Sequence, residues 1–332
     1  MTPGRGPARE GARILAGTLA KPFAFGRRVY GVISSKGPWY EAQPPGLFVE
    51  RDRVGGYFLD YRLKTEARAA RNPSSLLPVS LAQLALGWYE RVLLGEPQAV
   101  EQFESTCRVL LSKAESSGSQ LLWPYDDIVP KYGLRGQRWY DGMTQGQAAS
   151  TFVRAFLLFR SSEYEVAARR AIEPLLERDE RFVAMTPSGP ILEEGGMRPP
   201  AHILNGWIFS LWGLWDVRIG LAEPRAESLL AATLECLRAT LDAYDVGWWT
   251  RYSLFPHVLP DLAKPFYHRI HIDQMEVLHR LTGIEEFGSA ARRWESYNSR
   301  SARFAALAQK LPFKVIDTVA PRAERFGSTS TT

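Results

Sequence analysis

Apolar residues recur at helical spacing in four successive pairs of segments. Leu77, Leu81, Leu84, Leu86, Trp88 and Leu93 mark a helix over 75–94, stopped by Gly95. Val100, Phe103, Cys107, Leu110 and Leu111 form one stripe of a second helix over 97–116. Helices over 144–159 and 162–178, 203–220 and 224–244, and 268–281 and 284–305 repeat the alternation. In three of the four pairs the first helix is the more apolar. The extreme case is 203–217, where Ile203, Leu204, Trp207, Ile208, Phe209, Leu211, Trp212, Leu214, Trp215 and Val217 leave no polar face. Such a helix must be covered on every side. Alternating buried and half-exposed helices predict a mainly α fold, an α/α toroid of inner and outer helices.

Between the helices, period-two patterns and turn residues predict short β-hairpins. One spans 46–64 around Gly55-Gly56; another spans 182–194 around Pro187-Ser188-Gly189-Pro190. The segment 245–266 is strand-like around 248–254. The long connections all join an outer helix to the next inner one, so alternation brings them out at one end of the toroid. Tyr140, Glu193, Glu194, Tyr252 and Tyr267 fall on that end. Sites are usually assembled from loops collected in this way. Alone, the Glu193-Glu194 pair reads as two solvated loop acids; its place at the loop end is what makes it a candidate site.

The chain has 332 residues, 45% of them hydrophobic, enough for one large domain or two small ones. Boundaries are expected at a basic, partly disordered leader (1–44), a helical domain (45–310) and a C-terminal tail (311–332). The formal charge of +5 comes from dispersed Lys and Arg rather than a run, which argues against nucleic acid as partner. Cys107 and Cys236, far apart, make neither a disulfide framework nor a zinc spacing. No metal, redox-cofactor or phosphate-loop motif is present. The apolar run 14–20 is too short for a signal core or a membrane span. A cytoplasmic location is expected, the leader allowing at most a peripheral membrane contact.

Three long motifs are more specific: 139–150 (WYDGMTQGQAAS), 203–216 (ILNGWIFSLWGLWD) and 267–275 (YHRIHIDQM). With 77–88 (LPVSLAQLALGW) and Trp123-Pro124-Tyr125, they resemble the C-terminal domain of D-glucuronyl C5-epimerase, in the right order over about 45–300. The resemblance implies an α/α toroid that turns D-glucuronate into L-iduronate within a heparosan-type polysaccharide. The length leaves no room for the extra β-barrel domain of animal members, so a minimal, bacterial-type member is expected, with a homodimer allowed for.

The implied chemistry removes the proton from C5, beside the sugar carboxylate, and returns one to the other face. It calls for a base, an acid and a positive group for the carboxylate as it becomes enolate-like, and no redox cofactor. Carried over by motif, Glu194 is the base, Tyr267 the opposite-face acid, Tyr252 the loop tyrosine and Asn205 a substrate ligand. Tyr140 is either a proton handler or, with Trp139, an aromatic floor for the sugar. Gln145 and Gln147 are sugar-hydroxyl ligands or helix N-terminal contacts. His268, Arg269 and His271 are candidates for the carboxylate clamp, with a core histidine as the alternative for His271. Asp126 and Asp127 read as turn residues.

Two positions depart from the pattern of animal members. Gly195-Gly196 follows the Glu pair in place of Tyr-Pro, and Phe255 stands where they carry Arg three residues after the loop tyrosine. Both changes take a polar group from the edge of the site, and an unsulfated glucuronan-type chain stands beside heparosan as substrate. A polysaccharide lyase would start from the same proton abstraction, and a non-catalytic acidic-polysaccharide-binding protein would need none.

Overall fold

The computed structural model describes residues 76–125 and 138–319, with side chains to 316. The leader, the 46–64 hairpin, Asp126 and Asp127 lie outside the described residues.

Nine α-helices are described: α1 (Pro78–Leu93), α2 (Ala99–Ser112), α3 (Gly142–Phe159), α4 (Ser162–Leu176), α5 (Leu204–Leu221), α6 (Pro224–Thr240), α7 (Pro265–Thr282), α8 (Glu285–Ser296) and α9 (Arg300–Val319). Pro at the first turn of α1, α6 and α7 suits a position whose N–H has no intrahelical partner. The inner helices α1, α3, α5 and α7 stand side by side in chain order, each backed by its outer partner α2, α4, α6 or α8. This is the α/α toroid that the alternation predicts.

The α3–α5 contact is the tightest. A Cβ on Gly146 would fall 2.6 Å from the Ser210 Cα, and one on Gly213 would fall 2.4 Å from the Gly146 Cα. Small residues are required there because two backbones meet. Helix α5 is buried along nearly its whole length, as its apolar run requires. The Trp207 indole N–H donates to Thr233 Oγ1 (2.7 Å), whose hydroxyl donates to the Pro190 carbonyl (2.9 Å). Further along, Arg154 of α3 pairs with Asp216 of α5 at 2.6 Å, both fully buried. This ion pair ties the two inner helices together below the loop end.

The loops hold three antiparallel two-stranded ribbons: β1 (Glu115–Ser117) with β2 (Gln120–Leu122), β3 (Pro124–Tyr125) with β4 (Trp139–Tyr140), and β5 (Val183–Thr186) with β6 (Gly189–Leu192). Gly189, at φ +125°, supplies the backbone state that the β5–β6 turn needs. The segment 245–262 has only the isolated bridges Asp245–Thr250 and Arg251–Leu262.

The helix expected over 284–305 is two helices. The Ser299 hydroxyl accepts the Ala302 N–H (3.1 Å) and starts α9 afresh. Helix α9 also runs through the boundary expected at 310, because Lys310 and Phe313 are buried against the 250–263 loop.

Candidate active site

Three loops meet at one end of the inner helices. Trp139 lies against Gly195, where an added Cβ would come 3.2 Å from its Cε3. Gly142, in the first turn of α3, touches the Glu193 carbonyl so closely that a Cβ would clash at 2.2 Å. The Leu204 N–H donates to the Tyr252 carbonyl (3.1 Å), and the Leu254 N–H donates to the Ala201 carbonyl (3.0 Å). Tyr140, Glu194, Tyr252 and Tyr267 therefore belong to one loop cluster.

The two adjacent acids have different roles. Glu193 is buried, at 2% exposed, and is structural. Its carboxylate accepts the His202 backbone N–H (3.0 Å) and bonds the His202 ring, closing the turn that leads into α5. The Tyr244 hydroxyl fixes the same turn from the other side, donating to the His202 carbonyl (2.7 Å). With Glu193 locked, Glu194 falls against the amino end of α5. A Cβ on Gly206 would lie 2.8 Å from the Glu194 Oε2 and 3.0 Å from its Cβ. Gly206 is thus the space in which Glu194 sits, and the helix N-terminus favours a negative charge there. Neither acid is a solvated loop residue.

Tyr252 and Tyr267 form a ring pair with centroids 4.8 Å apart, tilted at 60°. Tyr252 is buried and Tyr267, in the first turn of α7, is partly buried. Tyr140 is partly buried beneath the Arg181 guanidinium, 5.2 Å from its ring centroid, and near Phe182. Arg181 is itself held by Asp179 and Gln120.

Asn205 and Gln147 stand on the inner helices. The Asn205 carbonyl accepts from Gln274 (3.1 Å), while its side-chain oxygen is buried without a hydrogen-bond partner among the described residues. Both amide atoms of Gln147, 1% exposed, are in the same condition. Buried polar atoms left unpaired are rare and ask for a ligand or water.

Other expected ligands also make structural contacts. Gln145 donates through Nε2 to the Leu121 and Ala171 carbonyls, both at 2.8 Å, joining α3 to β2 and α4, while its Oε1 is buried without a hydrogen-bond partner among the described residues. Trp139 stacks on Tyr125 at 4.5 Å and packs on Gly195, so it supports the loop cluster.

The residues expected at the carboxylate clamp make other contacts. His268 and His271 share the Thr250 hydroxyl, at 2.8 and 3.1 Å, and His268 stacks on Trp249 at 3.7 Å. Burial pulls the His268 pKa down to about 3 and lowers that of His271 well below the usual imidazole value. Both are neutral at pH 7 and cannot act as cations. Arg269 is spent on Asp273 (2.8 Å) and Glu295 (2.6 Å). A YHRIH run looks cationic as a string, but helical spacing turns these side chains into the α7–α8 interface.

Two contributors carried no assigned role in the sequence reading. Tyr125 accepts the Val79 N–H (3.1 Å) and bonds Thr144 Oγ1 (2.6 Å), while burial and then the neighbouring Asp141 push its phenol pKa well up. The Trp123-Pro124-Tyr125 motif pointed to it without giving it a function. Lys310, whose ammonium is 5.2 Å from the Tyr252 ring centroid, comes from beyond all the motifs and left no signal. Among the described residues no three His, Cys, Asp or Glu side chains gather as metal ligands, and no helix is long and apolar enough to cross a membrane.

The chain is similar to several known proteins. D-glucuronyl C5-epimerase of Caenorhabditis elegans is 29% identical over 178 residues, 48% of this chain and 29% of that protein, so the match spans under a third of the relative. A solved GH76 alpha-mannanase from Bacteroides thetaiotaomicron aligns over 87% of this chain and 83% of its own, at 10% identity and a TM-score of 0.47. The family model described as D-glucuronyl C5-epimerase C-terminus matches residues 118–296, more than half of the chain and the whole of the loop cluster from β3 to α7. The chain belongs to the D-glucuronyl C5-epimerase C-terminus family.

Proposed function

We propose that the loop end epimerises C5 of D-glucuronate residues in a heparosan-like polysaccharide, giving L-iduronate. The observation that carries this reading is that two kinds of proton handler belong to one loop cluster. Tyr252 and Tyr267 form a ring pair. Glu194 lies at Gly206, two residues from the Leu204 N–H that binds the Tyr252 carbonyl. A carboxylate and a phenol from separate loops provide a base for one face of the sugar and an acid for the other.

In this reading Glu194 takes the C5 proton and Tyr267 delivers one from the opposite side. Tyr252 packs on Tyr267, limits the positions its ring can take and is the second phenol of the proton-transfer site. Gln147 and Asn205 offer their buried amide groups to sugar hydroxyls, and Tyr140 forms an aromatic wall. Membership of the family supports the reaction class, and residue chemistry supports the roles. An acidic polymer is the partner, and a second copy of the chain in a homodimer is part of the proposal.

The test is incubation with heparosan in deuterated water, followed by disaccharide analysis. Deuterium at C5 together with iduronate supports the proposal. An ultraviolet-absorbing unsaturated product would replace it with a lyase, and binding without exchange would replace it with a non-catalytic polysaccharide-binding protein.

A further inference from the structure

Helix α9 begins after residue 296, where the family match ends, and returns to the tyrosine pair. Ala306 packs with Trp249 and Leu262, and Phe313 packs with Tyr252, Phe255 and Ala263. Between them, on the third turn, stands Lys310, 8% exposed. Its ammonium bonds the Asp261 carboxylate and donates to the Leu262 carbonyl at 2.9 Å. It is also 5.2 Å from the ring centroids of both Tyr252 and Phe313.

The same Asp261 holds both sides of the tyrosine. Its second carboxylate oxygen accepts the Ser253 hydroxyl (2.7 Å), and its backbone carbonyl accepts the Tyr252 N–H (2.6 Å). One buried ammonium thereby fastens Asp261 and Leu262, which bond back to Tyr252 and Arg251, and places a positive charge over the Tyr252 ring. The loop brings no cation of its own three residues on, where Phe255 is buried and apolar.

We propose that Lys310 is a positioning residue for Tyr252: it holds the ring against Tyr267 and eases formation of the Tyr252 phenolate, making α9 part of the proton-transfer site. This rests on the reading of the loop end as a C5-epimerase site. Among the described residues, Tyr267 from α7, Asp261 from the loop and Lys310 from α9 are ionisable residues that contact Tyr252. A nearby cation favours the charged form of a phenol, and a nearby unpaired carboxylate disfavours it. Removing Lys310 therefore acts in one direction through both groups, raising the Tyr252 pKa.

The experiment uses the full chain with Lys310→Met, which keeps the length and loses the charge. Lys310→Arg is the conservative control, and Lys310→Met/Asp261→Asn leaves no buried charge unpaired. Tyrosine labelled at Cζ, with Tyr252 assigned by Tyr252→Phe, is titrated by NMR, and C5 exchange is followed on heparosan. In Lys310→Met the Tyr252 phenol should titrate about one pH unit higher. The kcat for exchange should fall by about tenfold or more. KM should stay unchanged, and Lys310→Arg should recover most of kcat. The double variant, which carries the test if Lys310→Met does not fold, should show a fall in kcat of the same order. An unchanged Tyr252 titration and kcat in either folded variant would overturn the proposal. If the wild-type chain exchanges nothing, the epimerase reading falls instead, and the titration alone decides whether Lys310 tunes Tyr252.

Discussion

Tyr252 and Tyr267 hold their rings 4.8 Å apart at 60°, one from an irregular loop and one from the first turn of an inner helix. Such a tilted pair fixes both rings more firmly than either segment could alone. Tyr267→Phe keeps the ring contact and removes only a hydroxyl, so the fold and polymer binding should persist while net epimerisation stops. Disaccharide composition after long incubation, beside a binding isotherm, checks this. Normal iduronate yield from Tyr267→Phe would remove the phenol from the reaction.

Gly206→Ala probes Glu194 without touching it. Alanine at a helical position is worth about 1 kcal/mol more than glycine. The new methyl would lie 2.8 Å from the Glu194 carboxylate and 3.0 Å from its Cβ, so the side chain must move. A melting temperature near that of the wild type with exchange reduced by about tenfold or more is expected, since small misplacements of catalytic groups are costly. Unchanged exchange would mean that Glu194 works from another place.

The Arg154–Asp216 pair makes a stability prediction. Removing one partner of a buried pair leaves an uncompensated charge and typically costs about 3–5 kcal/mol. Arg154→Leu should lose stability of that order in urea unfolding, and Arg154→Leu/Asp216→Leu should regain most of it. Equal losses in both variants would show that packing, rather than charge, holds α3 to α5.

His268 and His271 predict the pH response. Both imidazoles have lower pKa values folded than unfolded, His268 falling from about 6.5 to about 3. Below pH 6.5 the unfolded chain binds more protons, so their contribution is fully present above that pH and declines as pH falls toward 3. The slope approaches about 1.4 kcal/mol per pH unit for each histidine. His268→Gln should flatten the decline between pH 6.5 and 4 in denaturant titrations. An identical profile would place the acid sensitivity elsewhere.

The helices were legible because burial imposes a period. The all-apolar 203–217 run could only be an inner helix, and the alternation of faces gave the pairs and the common end of the loops. That Glu194 and the tyrosines share one loop cluster was legible because motifs and connectivity agreed. What escaped depends on side-chain direction and long-range return. The run at 268–271 shows two histidines and an arginine, yet packing against Trp249, Thr250 and Trp294 is what makes the histidines neutral. Glu193 and Glu194 are identical neighbours, and only His202 and Gly206 separate a structural acid from a candidate base. Lys310 lies 49 residues after Asp261, in a helix whose start depends on the cap at Ser299. No local pattern announces such a contact.

Proton exchange at C5 in Glu194→Gln and Tyr267→Phe tests the two-sided mechanism most directly. Each variant is incubated in deuterated water with a D-glucuronate polymer and, separately, with an L-iduronate polymer, and deuterium and configuration at C5 are read after depolymerisation. The account predicts that neither variant inverts C5. From D-glucuronate, Tyr267→Phe should still exchange C5 hydrogen with solvent while Glu194→Gln should not, and the pattern should reverse from L-iduronate. Near wild-type epimerisation by Glu194→Gln would contradict the account and leave Glu194 a packing residue beside Gly206.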